Sequence, residues 1–401
     1  MNFYLNKYGF LPPQIKKDPA EQLNIIVVIP CFNEPDLLAS LQAIDSANHP
    51  ACAVEVIIVL NSGEHHSEEI KAQNRRTKND FLQWCRAANS AISYHLIDVP
   101  DLPKKHAGVG LARKIGMDEA VSRFESVKKD GIIVCFDADS SCDRNYLQAI
   151  EHHFDQYPKT PACSIYFEHP IEGSDYPLEI YEGIINYELH LRYYKQCQDF
   201  LGLPYAYHTV GSSMAVRSSA YQKQGGMNKR KAGEDFYFLH KIIELGNFTA
   251  LNDTCVIPSP RTSDRVPFGT GKAIQDWLDD ETEDYKTYNG AIFEKIAVEL
   301  QKLPEVYEGS ATITLPYLSE KQIDEIKQNT GNYPSFEKRF YRLFDAFQLL
   351  KTVHYFRDNG YPNQPLKEAT EYLDRLMNRQ TTISDVKEQL LRYRRFDRCS
   401  A

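Results

Sequence analysis

Two acidic clusters are the residues best suited to chemistry. Asp137-Ala138-Asp139 directly follows an apolar run, Gly131–Phe136, and Gly233-Glu234-Asp235 opens a stretch with helical spacing. Two carboxylates separated by one small residue at a strand end can converge on a hard cation. Mg2+ or Mn2+ prefers oxygen ligands, commonly one or two carboxylates plus substrate phosphates. Asp139 and Asp137 are therefore candidate metal ligands, although a capped turn starting at Ser141 or Asp143 would also explain them. Asp235 is a candidate general base. A carboxylate near its ordinary pKa is ionised at neutral pH and can take the proton of an attacking hydroxyl. Acids at a helix start are also favoured by the helix dipole, so capping is the plainer account of Glu234 and Asp235.

The stretch 258–271, PSPRTSDRVPFGTG, places Arg261 and Arg265 four residues apart between prolines and ends in Gly-Thr-Gly. Guanidinium groups suit bidentate contact with phosphate or carboxylate, and Gly269 and Gly271 let backbone amides approach an anion. The segment reads as a lid over an anionic ligand, with a rigid connector as the alternative. His208 is a candidate third metal ligand or a satisfied structural histidine. His65-His66 and His152-His153 lack partners at ligand spacing and read as solvated helix residues. Nine cysteines stand singly, with no CxxC pair, which favours a reducing, cytoplasmic setting over disulfides or structural zinc.

These groups need a frame, and the first half of the chain supplies one. Strand patterns at Asn24–Pro30 (a continuous β-branched run), Val54–Leu60, Ser93–Val99 and Gly131–Phe136 alternate with helical patterns at Pro35–Asn48, at a polar stretch ending near Ala91, and at Gly110–Phe124. That order predicts an α/β fold with a doubly wound, mostly parallel sheet. Ligands of such sheets bind beyond the carboxyl ends of the strands, where the polar segments of this chain fall. Strands are expected at 162–168 and 210–216, helices at 178–199 and 234–245, a loop at 255–271, and helices beyond, including 336–356 and 385–394. The expected organisation is an N-terminal extension (1–23), a catalytic α/β domain (24–271) and a helical C-terminal subdomain (272–401).

Composition sets the remaining limits. With 401 residues and 42% hydrophobic content, the chain can bury a substantial core. A net charge of −9 gives no general pull toward nucleic acid. The N-terminus has no apolar core of a signal peptide, and the apolar runs are too short for a transmembrane helix. The basic end at Arg392, Arg394, Arg395 and Arg398 reads as a solvated face, with peripheral contact to an anionic membrane left open.

Several motifs in series resemble glycosyltransferase family 2. Pro30-Cys31-Phe32-Asn33-Glu34 is similar to the family's P-x-[YF]-N-E opening, and Lys105 to Lys114 to its K-x-G-x-x-x-A-R-N segment. Asp137-Ala138-Asp139 matches D-x-D. Val210–Arg217 resembles the later G-[GS]-x-x-x-x-R stretch, Gly225-Gly226-Met227 the GGF, and Gly233-Glu234-Asp235 the G-E-D. Five or six weak motifs in order are far more specific than any one. The resemblance covers about residues 24–260.

It implies a GT-A fold, a UDP- or GDP-sugar donor, Mn2+ or Mg2+, and an inverting hexosyl transfer to an unknown acceptor, a glycan or lipid-linked molecule of glycoconjugate or polysaccharide synthesis. By motif, Phe32 and Glu34 would hold the nucleoside, Arg113 would lie near the phosphates, and Asp137 and Asp139 would serve nucleotide and metal. Pro30, Lys105 and Glu234 join the donor site on the same basis, with Arg261 and Arg265 from the connecting segment. One departure stands out. The second strand ends Asn61-Ser62-Gly63 where the family usually has acids, so Asn61 is the polar group left for the base, and uridine preference is not implied. A retaining enzyme and a non-catalytic nucleotide-sugar-binding protein are the alternatives. A sugar nucleotidyltransferase is disfavoured, because no Gly-rich loop follows the first strand.

Overall fold

The computed structural model describes residues 2–263, 269–279, 284–380 and 385–399. Eight strands make one sheet: β1 (Leu23–Cys31), β2 (Ala53–Gly63), β3 (Ser93–Leu102), β4 (Ile132–Cys135), β5 (Ser141–Cys142), β6 (Ala162–Phe167), β7 (Met214–Arg217) and β8 (Thr249–Ile257), in the order β3-β2-β1-β4-β7-β6-β8-β5. The first four pair in parallel, β7 runs antiparallel to β4 and β6, β8 is parallel to β6, and β5 is antiparallel to β8. Residues 25–29 and 56–59 are all Val or Ile and all buried, as strands covered on both faces require.

The helices of the first half are α1 (Phe3–Tyr8), α2 (Leu37–Asp45), α3 (Glu68–Ala87), α4 (Val109–Ser126), α5 (Tyr146–Gln156), α6 (Leu178–Phe200), α7 (Ser218–Lys223) and α8 (Glu234–Ile243). Those that follow are α9 (Thr270–Asp279), α10 (Gly290–Leu300), α11 (Leu303–Glu308), α12 (Glu320–Gln328), α13 (Tyr333–Leu343), α14 (Ala346–Asp358), α15 (Leu366–Leu376) and α16 (Val386–Cys399). The chain divides into two compact units. One holds 1–173, 209–272 and 398–401, and the other holds 174–208 and 273–397. The first contains the sheet. The second is helical, with a short antiparallel pair, β9 (Lys286–Thr287) and β10 (Gln364–Pro365).

Helix α4 is buried along most of its length, charged residues included. The N-terminal extension explains this, because it lies along the helix and supplies partners. Tyr4 donates its hydroxyl to Asp118 at 2.7 Å, Lys114 donates to the Tyr4 oxygen at 3.0 Å, and the amides of Gln14 and Ile15 donate to Glu119 at 2.8 and 3.1 Å. Arg123 is paired with Glu55 of β2. Buried charges persist where partners of this kind satisfy them.

Three expectations need correction. Strand β8 was not expected; its polar middle, Asn252-Asp253-Thr254, interrupts the apolar pattern, and its pairing with β6 shifts register between Ile165 and Phe167. The stretch expected to be a loop from Cys255 therefore begins inside that strand. The segment 336–356 is two helices, and Asp345 caps the second by accepting from the Gln348 amide at 2.8 Å.

Candidate active site

The carboxyl end of β4 presents the two aspartates on a pinned turn. The Phe136 amide still donates to Val28 at 3.1 Å, the Ser140 amide donates to the Asp137 carbonyl at 3.1 Å, and β5 then pairs with β8. A turn held at both ends leaves the side chains of Asp137 and Asp139 36% and 27% exposed.

The end of β1 is tied down from α3. The Asn33 amide donates to Asn74 at 2.9 Å, Asn74 donates to the Asn61 carbonyl at 2.9 Å, and the Thr77 hydroxyl donates to the Glu34 carbonyl at 2.6 Å. Asn33 has φ of +49°, a conformation asparagine tolerates better than most residues. The Glu34 side chain is buried and grips Arg261, with Nη1 donating at 3.0 Å and Nη2 donating to the other oxygen. The same Nη2 lies 2.8 Å from Asp139. Arg261 thus bridges the ends of β1 and β4.

A second bridge comes from α4. Arg113, 4% exposed, donates Nη2 to Asp137 at 2.5 Å and Nη1 to Glu234. Its Nε has no partner among the described residues. The backbone of Gly211 lies against the guanidinium plane, and a Cβ there would stand 2.5 to 2.7 Å from Nη1, Nη2 and Cζ. The chain enters α8 through Gly233 at φ +68°, which a side chain would disfavour. Asp235 follows, half-buried, its Oδ1 accepting from the Phe236 amide at 2.8 Å. Burial pushes the Glu234 carboxyl up to about 7 against the pull of Arg113, with Asp235 adding to the rise. Burial raises Asp235 too, and Arg113 opposes it.

The structure therefore gathers Glu34, Arg113, Asp137, Asp139, Glu234, Asp235 and Arg261 into one cluster. Among the described residues, these five carboxylates and Asp36, 3.8 Å from Arg261, meet two guanidinium groups there. That excess of hard oxygen donors suits a divalent cation, though no group of three or more His, Cys, Asp or Glu is placed as a ready-made cage among the described residues.

The other expected site residues fall as follows. Pro30 is part of β1, Lys105 is exposed on the loop before α4, and Asn61 is buried with its carbonyl bound by Asn74. His208 lies in the second unit, its Nε2 2.9 Å from Asp397. Arg265, with the middle of the expected lid, lies outside the described residues. Three of the four paired histidines differ from their reading as solvated helix residues, and His152, exposed in α5, fits it. His65 and His66 sit in the turn between β2 and α3, with the His66 ring 4.6 Å from that of Phe32. His153 is buried and bonded to Thr249 at 2.8 Å. Phe32 and His66 are far apart in sequence, and only the parallel pairing of β1 and β2 brings them together.

No curated protein matches the sequence. Among solved structures, the chain is similar to S. aureus TarS 1-349 in complex with UDP-GlcNAc, at 11% identity over 93% of this chain and 90% of that one, with a TM-score of 0.41. It is similar to the same protein in complex with UDP at 12% identity over 93% and 89%, with a TM-score of 0.39. The mostly parallel eight-stranded sheet with its flanking helices is that of a GT-A-like fold. Residues 26–224, which carry most of this cluster, match the family model described as glycosyl transferase family 2, and through that stretch the chain belongs to this glycosyltransferase family.

Proposed function

We propose that the chain transfers a sugar from a nucleotide-diphosphate sugar to an acceptor hydroxyl, with a divalent cation and with inversion at the anomeric carbon. The supporting observation is the double bridge, in which Arg261 joins Glu34 to Asp139 and Arg113 joins Asp137 to Glu234. It concentrates acids and phosphate-binding cations at the strand ends where such folds bind ligands.

Phe32 and Glu34 hold the nucleoside. Arg261 and Lys105 face the donor diphosphate, where a guanidinium fork gives bidentate contact. Asp137 and Asp139 would hold Mn2+ or Mg2+ together with donor phosphate oxygens. When bound, the cation neutralises charge on the departing nucleotide. Arg113 keeps Asp137 and Glu234 in fixed geometry. Asp235 takes the acceptor proton, and burial, which raises its pKa against the pull of Arg113, makes it a stronger base than a free aspartate. No described helix is long and apolar enough to cross a membrane, so a glycan or lipid-linked acceptor meets the site from outside. All nine cysteines are free, in keeping with a cytoplasmic reaction.

The test is thermal unfolding with UDP, GDP, ADP, CMP and dTDP, each with Mn2+ and with EDTA. A ligand that binds only the folded state raises the midpoint. A rise for at least one nucleotide, lost in EDTA, is expected. No rise with any of them overturns the donor-site reading. NMR of the product anomer then tests inversion.

A further inference from the structure

His66 and His65, which extend from Phe32 across the ends of β1 and β2, have no task in the mechanism above. The rings of Phe32 and His66 are 4.6 Å apart and tilted by 42°, and His65 follows at 4.2 Å and 47°. The turn after β2 holds them in place. The His66 amide donates to the Gly63 carbonyl at 3.1 Å, and the Gly63 amide donates to His66 Nδ1 at 2.9 Å. Phe32 and His66 are half-buried and His65 is exposed, so the group keeps an open side. Through Phe32 it adjoins Glu34 and the Arg261 bridge.

The Gly63 amide also fixes the chemistry of the ring. A nitrogen that accepts a hydrogen bond carries no proton, so a neutral His66 is protonated at Nε2. Burial, then the fields of His65, Lys231 and Lys71, push His66 below its ordinary value, so the neutral form prevails at neutral pH. The nitrogen left for a ligand is a donor. It can bond to a carbonyl oxygen and has nothing to offer an amino group. At the neighbouring strand end, Asn61 stands where an acid is expected and is 3% exposed.

We propose that His66, backed by the Phe32 ring, reads the nucleobase of the donor, selecting a base with an oxygen at its exocyclic 4- or 6-position (uracil, thymine, guanine) over one with an amino group there (cytosine, adenine). This rests on the placement of the nucleoside at Phe32 and Glu34. Aromatic side chains stack on any base, so the selectivity comes from the single N–H.

Direct titration with UDP, dTDP, GDP, CDP and ADP in Mn2+ tests this, with inorganic pyrophosphate as the base-free probe. The wild type should bind one of UDP, dTDP or GDP at least about fivefold more tightly than CDP and ADP, the worth of one good hydrogen bond. His66→Phe keeps a ring and drops the donor, and should bring that ratio close to one with pyrophosphate binding unchanged. His66→Gln can still present an N–H and should retain most of the ratio. Preference for CDP or ADP, equal ratios in the Phe and Gln variants, or an equal loss of pyrophosphate and nucleotide binding in His66→Phe would each overturn the assignment. Tight pyrophosphate binding with no gain from any base overturns it and leaves the diphosphate site standing. Failure to bind either probe overturns both.

Discussion

Each unit of the chain contains a knot of arginines and carboxylates, and the two differ in what they leave open. In the second unit, Arg192 donates to Glu188 at 2.8 Å and to Asp397 at 2.6 Å, and Arg394 donates to both oxygens of Glu188 at 2.7 and 2.8 Å. Gln196 and His208 complete Asp397 at 2.8 and 2.9 Å. Glu188 and Arg192 have no solvent exposure at all. In the first unit the acids outnumber the described guanidinium groups, and Asp137 and Asp139 keep about a third of their side-chain surface in solvent. Both knots use the same residue types. A saturated, sealed knot holds helices together, whereas an acid-rich, open one can exchange its arginines for a ligand. Presence of a salt bridge says little about role, and saturation and exposure say more.

The widest separation between the two knots should come from deletions. Asp235→Asn should lower transfer at least about a hundredfold, as loss of a general base does, while nucleotide binding and the melting midpoint hold. Arg192→Ala should do the reverse. Taking a fully buried guanidinium away from Glu188 and Asp397, which keep only their other partners, should cost about 3–5 kcal/mol in denaturant unfolding, with kcat/KM of the folded fraction unchanged. If Asp235→Asn unfolds as readily as Arg192→Ala, the first knot is structural and the contrast collapses.

The first knot was largely legible in the sequence, and the second was not. Asp137, Asp139, Glu34, Arg113, Glu234 and Asp235 stand in local motifs next to strand or helix ends, so short-range pattern locates them. Arg261 was legible only as an arginine in a Pro-rich segment; its bridging of two strand ends is a tertiary fact. Glu188, Arg192, Arg394 and Asp397 look like ordinary solvated helix charges, because a partner about two hundred residues away leaves no local trace. The same holds for α4, whose charges are buried by the N-terminal extension. Strand β8 was missed because its polar middle breaks the apolar run, and the Phe32–His66 pair because it depends on strand register.

A smaller effect should appear as opposite pH dependences of stability. Glu234 titrates at about 7 in the folded state against an ordinary value of 4.5. Its contribution to stability is thus full below that ordinary value and is lost as pH rises through about 7. Asp397 behaves the other way. Burial alone would raise it, but His208, Arg192 and Lys195 hold it far below the carboxylate range. Its contribution is present above its ordinary value of 3.8 and is lost as pH falls below that. Melting midpoints across pH 3 to 8 should therefore decline at both ends. Glu234→Gln should flatten the decline toward neutral pH, by roughly 1–3 kcal/mol, and Asp397→Asn should flatten the acid side. A single variant that flattens both limbs would mean that the two knots titrate as one.

The finest test uses one methyl group in each unit. In Gly211→Ala the new Cβ would stand 2.5 to 2.7 Å from the Arg113 guanidinium, so Arg113 must move. Asp137 and Glu234 would move with it, and a displacement of about 1 Å in a reacting group costs on the order of tenfold to a hundredfold in rate. Stability should change little, because the fork can still reach one carboxylate. In Gly183→Ala the Cβ would stand 2.7 Å from Trp277 Cδ1, a packing contact between α6 and α9. That change should cost about 1–2 kcal/mol of stability through overpacking and leave kcat/KM alone. Initial rates and denaturant midpoints measured on both variants give four numbers. If Gly211→Ala loses stability and keeps its rate, Arg113 acts as a buried brace like Arg192, and the open knot owes its chemistry to Arg261 and the exposed aspartates alone.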